Sequence, residues 1–182
     1  MRNRSRLALR AATVGIALSA MLVSVSTAAS ASPAPVPAPA PESAGDDLTV
    51  LDGTGTPEND AAAAALCLFT TNGDYVHVSS SAFEASGHGW WVNINCSTAT
   101  AVVTVQLQQY YSDGVWRNKG TVGRSTVRSG GGAGNRATGR GACTAGSALT
   151  GWRSVIDVDL VGLADDPGKL TTSTRNINCR RA

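Results

Sequence analysis

Apolar and polar residues alternate through residues 151–162, a segment with a glycine at each end. One face of this segment would carry Trp152, Ser154, Ile156, Val158 and Leu160, and the other Arg153, Val155, Asp157, Asp159 and Val161. Successive side chains of an extended chain point to opposite sides. The alternation therefore predicts a β-strand with one apolar and one mixed face.

The same two-residue period recurs through most of the chain after residue 66. Residues 100–111 form the longest such run, with Ala101, Val103, Val105 and Leu107 predicted to point inward and Thr104, Gln106 and Gln108 outward. Residues 90–96 and 170–179 also have the character of strands.

Turn signals separate these runs. Asn72-Gly73 and Asp113-Gly114 predict tight hairpins, because both residues of each pair tolerate positive φ, and residues 118–120 predict another turn. About seven or eight strands with turns every 8–12 residues indicate an all-β fold, an antiparallel β-sandwich or barrel.

Glycine and serine enrichment predicts loops at residues 79–89 and 129–135. Residues 136–143 leave two alternatives open. A strand would place Ala137, Gly139 and Gly141 on one face, where a neighbour could pack very close. The other alternative is a loop.

The first 31 residues have the layout of a secretory signal peptide. Four arginines precede an apolar run over residues 11–25, and Ala29-Ser30-Ala31 supplies small residues for cleavage. The run is shorter than the about 20 residues that cross a bilayer, so a retained membrane anchor is the less favoured alternative. We expect a secreted, extracellular protein that does not associate with a membrane after cleavage.

Residues 32–60 follow as a Pro/Ala-rich and then acidic linker or propeptide. Alternate prolines from Pro33 to Pro41 remove backbone donors, so we expect an extended, solvated spacer and a disordered leader. A short helix beginning near Thr56-Pro57-Glu58 is an alternative. A single β domain would then span residues 61–182.

Charge is distributed unevenly along the chain. From Cys67 to the end there are 11 basic and 7 acidic side chains, a net charge of +4, whereas residues 42–60 carry six acidic side chains and no Lys or Arg. The basic residues do not cluster as a nucleic-acid surface requires, so we expect no nucleic-acid partner.

Four cysteines in an exported chain predict two disulfides, formed among Cys67, Cys96, Cys143 and Cys179. Of the three pairings that four cysteines allow, we favour Cys67–Cys96 with Cys143–Cys179, because both close loops of moderate length. Each bridge would stabilise the fold by about 2–4 kcal/mol. A zinc site is less favoured, since the chain has no Cys-x-x-Cys pair.

No catalytic set is evident. His77 and His88 are the only histidines, and the chain has no Gly-x-Ser-x-Gly motif. We expect no cofactor and no metal site. The aspartates 157, 159, 165 and 166 could bind calcium, but their spacing matches no calcium loop, and they also fit the wet face of a sheet.

Aromatic pairs offer the better candidates for ligand contact. Trp90-Trp91 and Tyr110-Tyr111 place neighbours on opposite faces of a strand, so one member of each pair is expected to be exposed unless a loop covers it. His88, between two glycines, lies in a predicted loop. We expect Trp91, Tyr110 and His88 to contact a ligand.

Two resemblances follow from these residues. The run from Gly87 to Trp91, residues 152–159 and the four cysteines together resemble small secreted four-cysteine proteins of actinobacteria, a group with no functional residues to carry over. Residues 113–116 and the two expected bridges resemble the secreted subtilisin-inhibitor family. That family holds its reactive loop in a Cys-Pro context, and no cysteine here adjoins a proline.

The expected function is that of a secreted, monomeric, non-enzymatic binding module for an extracellular glycan or protein. One alternative is a proteinase inhibitor that presents the loop Ser129–Asn135. The other is an extracellular hydrolase, for which a buried histidine–carboxylate pair in a cleft would be the sign.

Overall fold

A computed structural model describes residues 31–39, 49–55, 67–143, 148–164 and 167–179, the second of these ranges through its backbone. The predicted signal peptide lies outside these ranges apart from its last residue, and so do Asp165, Asp166 and the alternative helix at Thr56. The described ranges contain no helix of the length and apolarity needed to cross a bilayer.

Ten β-strands make up the described fold. In chain order they are β1 (Thr49–Gly55), β2 (Cys67–Gly73), β3 (His77–Val78), β4 (Glu84–Asn93), β5 (Thr100–Tyr110), β6 (Trp116–Arg128), β7 (Ala137–Ala142), β8 (Thr150–Leu160), β9 (Leu170–Thr171) and β10 (Arg175–Ile177). Their pairings are antiparallel, in the order β1-β2-β4-β7-β6-β5-β8-β10, with β3 beside β4 and β9 beside β8. The predicted all-β antiparallel fold is confirmed.

The sheet curls at β6, which belongs to both of its halves. Residues of β6 pair with β5 on both sides of an irregularity, and within that irregularity Thr121 pairs with Arg140 of β7. Two facing layers result. One contains β1, β2, β3, β4 and β7, and the other contains β6, β5, β8, β9 and β10.

The core lies between the inner faces of these layers, and one of these faces is lined by small residues. Ala85 of β4 and Ala137 of β7 are fully buried, with Gly87, Gly89, Gly139 and Gly141 alternating beside them. A Cβ atom on Gly89 would lie 2.7 Å from a methyl of Ile156, and one on Gly139 would lie 2.9 Å from the backbone oxygen of Val105. Of the two alternatives for residues 136–143, the strand is thus correct, as β7 over Ala137–Ala142, and a neighbour does pack very close.

The strands of the second layer supply the large side chains. The side chains of Val103, Val105 and Leu107 of β5 are fully buried. In β8, Ile156 is fully buried and Trp152 is 1% exposed. The predicted inward faces of these two strands are therefore confirmed. Their large side chains fit because the glycine-lined face opposite leaves room for them.

Both disulfides form as favoured. Cys67 pairs with Cys96 across a Cα–Cα distance of 4.4 Å, and Cys143 pairs with Cys179 across 4.9 Å. The first links β2 to the segment after β4. The second links the end of β7 in one layer to the segment after β10 in the other.

The predicted Asn72-Gly73 hairpin is wrong. Strand β2 pairs with β4, and after a short excursion at residues 74–76 the chain resumes alongside the same strand as β3. The reversal occurs at residues 79–84 instead, where the Ser79 and Phe83 N–H groups donate to the Glu84 and Ser79 carbonyls. Most of the predicted loop at 79–89 is consequently strand β4.

Other predicted turns differ in outcome. Asp113-Gly114 does form the tight β5–β6 connection, with Gly114 at a φ of 79°. Residues 118–120 do not turn the chain: they lie inside β6, where Gly120 has a φ of 74° at the irregularity. The predicted strand over 170–179 is divided into β9 and β10, since its two parts pair with the middle and the beginning of β8 respectively.

Residues 34–38 are not the solvated spacer that the prolines predicted. The Val36 N–H donates to the Tyr110 carbonyl (3.1 Å), and the Gly151 N–H donates to the Val36 carbonyl (2.9 Å). Ala38 is 6% exposed and exchanges hydrogen bonds of 2.8 and 3.0 Å with the Asn176 side chain. Because proline occupies only every second position, residues 36 and 38 keep N–H groups that can pair.

Strand β1 is a second departure from the predicted leader. It pairs with β2 from Thr49↔Asn72 to Gly55↔Cys67, so the β structure begins before the predicted boundary at residue 61. The compact unit that contains the β fold extends from Ser32 to Ala182.

A close approach between β6 and β7 generates a prediction. A Cβ on Gly123 would lie 2.1 Å from the Thr138 backbone oxygen, which cannot rotate away as a side chain could. We expect Gly123→Ala to lower the free energy of unfolding by about 1–3 kcal/mol, the usual cost of overpacking. Urea unfolding followed by tryptophan fluorescence measures it.

Gly134→Ala is the matched control, because a Cβ at Gly134 would meet nothing within 4 Å. Equal unfolding midpoints for the two variants would contradict the close approach of the two strands.

Candidate functional site

The structure does not bring the three predicted contact residues together. Trp91 points into the core with 0% exposure, His88 lies on the outer side of β4, and Tyr110 lies at the end of β5 in the other layer. The expected ligand contact through Trp91 is wrong. Its indole packs edge-on against Phe69 (6.4 Å between centroids) and donates from Nε1 to the Val127 carbonyl (3.1 Å).

Trp90 takes the outward position of the pair, and the loop at 129–135 covers it. Gly131, at a φ of 71°, lies so close that a Cβ there would approach Trp90 to 2.4 Å. The base of this loop is fixed, because the Gly130 N–H donates to the Trp91 carbonyl (2.9 Å) and Ser129 Oγ accepts from the Asn93 N–H (2.8 Å).

The tip of the same loop closes on itself, with the Asn135 N–H donating to the Gly132 carbonyl (2.7 Å). A proteinase inhibitor presents an extended, substrate-like segment that can pair with the enzyme's backbone. A folded glycine turn lacks that form, so the geometry of the loop weighs against the inhibitor alternative.

Tyr110 belongs to an outer-face cluster that we call the Trp116 platform, formed by Gln108, Tyr110, Trp116 and Arg153. The tyrosine and indole rings are 5.1 Å apart at 53°, and the Arg153 guanidinium lies 4.3 Å above the Trp116 ring. Arg153 Nε donates to Gln108 Oε1 at 2.8 Å. All four side chains are half-buried.

Strand register creates this platform. Tyr110 is opposite Trp116 across the β5–β6 pair, and Gln108 is opposite Arg153 across the β5–β8 pair. Residues two apart on β5 share a face, so both cross-strand neighbours meet on the outer side of the sheet.

Arg153 brings an unmatched charge to the platform. Partial burial lowers the pKa of its guanidinium, which still stays protonated at neutral pH. The ion pairs between described residues join His88 with Asp74, Arg117 with Asp113, Arg140 with Glu84 and Lys169 with Asp157. None of these pairs includes Arg153.

The aspartates considered for calcium do not form a site among the described residues. Asp157 and Asp159 lie on the outer side of β8, and the Asp157 carboxylate is 3.0 Å from Lys169 Nζ. A lysine that close neutralises the carboxylate that a cation would need.

A second cluster joins Asp74, His77 and His88, and it arises where the β2–β3 line carries one residue more than β4. The Asp74 carboxylate accepts from the His88 backbone N–H (2.6 Å) and lies 2.6 Å from His88 Nδ1. The rings of His77 and His88 stack with centroids 5.3 Å apart at 27°. His88 is 8% exposed, in a strand and not in the predicted loop.

This pair is the histidine–carboxylate sign expected of a hydrolase, but it is incomplete. A triad also needs a nucleophile bonded to the other ring nitrogen. Within the described part of the chain, no hydroxyl or thiol hydrogen-bonds to the His88 ring, and all four cysteines are in disulfides.

Sequence reasoning missed Asp74, Gln108, Trp116 and Arg153 as site residues. Arg153 was placed correctly on the mixed face of its strand, but its partners lie 37 and 45 positions away, and no local pattern encodes that register. Asp74 directly follows the predicted Asn72-Gly73 turn, and its contact with His88 depends on the extra residue opposite β4.

Comparison of the chain with family models, curated proteins and solved structures finds no match. Function is therefore inferred from the geometry of the described residues.

The turn that carries Trp116 generates a prediction about acid titration. Arg117 forms a bidentate pair with Asp113, and its hydrogen bonding lowers the pKa of that carboxyl below its ordinary 3.8. A carboxyl whose pKa is lower in the folded than in the unfolded state stabilises the fold at pH values above its unfolded-state pKa. That stabilisation is lost as the pH falls through the folded-state pKa.

We therefore expect Arg117→Ala to raise the Asp113 pKa toward its ordinary value, measured by carboxyl-carbon NMR, with a small effect on stability because the pair is exposed. An unchanged Asp113 titration in the variant would show that the ion pair does not form in solution.

Proposed function

We propose that this protein is an exported binding module that recognises an acidic extracellular polysaccharide through the Trp116 platform. The observation that carries the proposal is the half-buried Arg153 guanidinium, stacked on Trp116 and bonded to Gln108 without a carboxylate partner among the described residues. Two disulfides agree with an oxidising, extracellular setting.

The Arg153 guanidinium is held in one position before any ligand binds. Stacking on the indole and the bond from Nε to Gln108 hold the guanidinium plane in one orientation, which reduces the entropy lost on binding. The N–H donors of the two terminal NH₂ groups of Arg153 remain available to a ligand, and their spacing matches the two oxygens of a carboxylate.

The aromatic side chains favour a sugar as the bearer of that carboxylate. A pyranose presents C–H groups on its faces and hydroxyls at its rim, so it suits an amphipathic surface of aromatic rings edged by amide and guanidinium groups. Tyr110 and Gln108 of β5 and Trp116 of β6 supply such a surface on two paired strands, which hold the groups in fixed positions.

A large protein partner fits the described surface less well. Stable protein interfaces bury about 800 Å² on each partner around an apolar core. The exposed large apolar side chains are instead distributed over strands and loops of both layers, at Phe83, Val92, Ile94, Val115, Val122, Leu149 and Val161.

The proposal predicts that the protein binds polygalacturonate, a carboxylated polysaccharide, and does not bind neutral dextran. Arg153→Ala is expected to weaken polygalacturonate binding at least tenfold, and Arg153→Lys nearly as much, since lysine lacks the planar fork. Affinity electrophoresis and titration calorimetry of the mature protein measure both effects.

Arg124→Ala is the matched control. Arg124 is an exposed arginine on the outer face of the same sheet, opposite Thr104, and its loss should change affinity less than twofold. Equal losses from the two arginines would indicate nonspecific charge attraction, and equal binding of dextran would contradict the role of the carboxylate.

A further inference from the structure

The Asp74–His77–His88 cluster has a donor set that the proposed glycan site does not use. One ligand atom from each of the three residues can be chosen so that all lie within 4.8 Å of one another. These residues are on the outer side of the β2–β3–β4 layer, whereas the Trp116 platform is on β5, β6 and β8. The cluster is therefore a separate feature of the molecule.

We propose that Asp74, His77 and His88 bind a transition-metal dication, with zinc as the representative ion. Two imidazoles and one carboxylate form a set that suits Zn²⁺, Ni²⁺ and Cu²⁺, whereas Ca²⁺ and Mg²⁺ prefer oxygen ligands alone. Three protein ligands leave one tetrahedral position for water or an outside group.

The contacts of the two rings indicate which ring nitrogen of each histidine can bind the metal. His88 Nδ1 faces the Asp74 carboxylate, and His77 Nδ1 lies 3.2 Å from the Tyr75 carbonyl, an atom that can only accept. In neutral His77 the proton therefore lies on Nδ1 and Nε2 keeps its lone pair. At His88 we expect the metal to replace the proton between Nδ1 and the Asp74 carboxylate, so that Nδ1 and a carboxylate oxygen become ligands. Metal-binding histidines commonly donate from their second ring nitrogen to a carboxylate or carbonyl, as His77 does to Tyr75.

Asp74 fixes the buried half of the site. One carboxylate oxygen accepts from the His88 backbone and the other faces the His88 ring, so Asp74 positions the ring beside its own carboxylate. Each carboxylate oxygen has a further lone pair, which leaves capacity for a metal.

His77 is the residue that must move for the site to close around a metal. Ligand atoms around tetrahedral zinc are roughly 3.3 Å apart, given bonds of about 2.0–2.1 Å. His77 must therefore approach the Asp74–His88 pair, whose facing atoms are now 2.6 Å apart and must separate slightly. His77 is exposed and belongs to the two-residue strand β3, so its ring can change rotamer without disturbing the core.

The wild-type chain offers a direct test, because His77 and His88 are its only histidines and its cysteines are all bridged. ZnCl₂ is titrated into the tag-free mature protein while the histidine ring resonances are followed by NMR. We expect both rings to shift and to saturate at one zinc per chain. Rings that stay unshifted would overturn the proposal without any substitution.

Affinity is then compared among variants by calorimetry. His77→Ala should fold normally because the side chain is exposed, and it should weaken zinc binding at least tenfold. Asp159→Asn, which removes an exposed carboxylate elsewhere, should bind within twofold of wild type. A His77→Ala affinity within twofold of wild type would also overturn the proposal.

The result is independent of glycan recognition. Polygalacturonate binding should be unaffected by His77→Ala, and zinc binding unaffected by Arg153→Ala. Failure of one proposal therefore leaves the other standing on its own measurement.

Discussion

The fold depends on a contact between backbone and side chains. The inner face of β4 and β7 presents glycine and alanine, so the bulky residues of β5 and β8 lie directly against its backbone. Gly141 faces the Trp152 ring at 3.1 Å from its would-be Cβ, and Gly89 faces both Ile156 and Val105. Glycine is unfavourable within a strand by itself; here the lost propensity is offset by the large apolar side chains that the approach allows to be buried.

That approach requires the sheet to curl, and β6 provides the curl. Between Gly123 and Lys119 the strand carries extra residues opposite β5, and Thr121 turns to pair with β7. Gln106 closes the resulting gap by donating to the Lys119 carbonyl (3.2 Å). The disulfide Cys143–Cys179 then joins the two layers at their far side, which restricts the unfolded chain and keeps the layers facing each other.

Much of this architecture was predictable from period alone. The inward and outward faces of β5 and β8 followed from alternation, and the disulfide pairing followed from loop length. The failures have a common cause. Gly87 and Gly89 suggest a loop when the local sequence is considered alone. In the fold they lie within β4, where the absence of a Cβ leaves room for Ser154 and Ile156. Trp91 was expected at the surface because nothing in the sequence states which side of β4 meets β5.

The candidate sites were less predictable than the fold, because both depend on strand pairing. Arg153 becomes pre-organised only when β8 places it opposite Gln108 and β6 brings Trp116 beside it. Asp74 reaches His88 only because residues 74–76 oppose two residues of β4. A regular two-residue period fixes which faces are buried and thereby fills the core. The two candidate sites lie on the outer face, one where side chains from separate strands meet and the other where one strand has a residue more than its neighbour. Neither arrangement changes the local hydrophobic pattern.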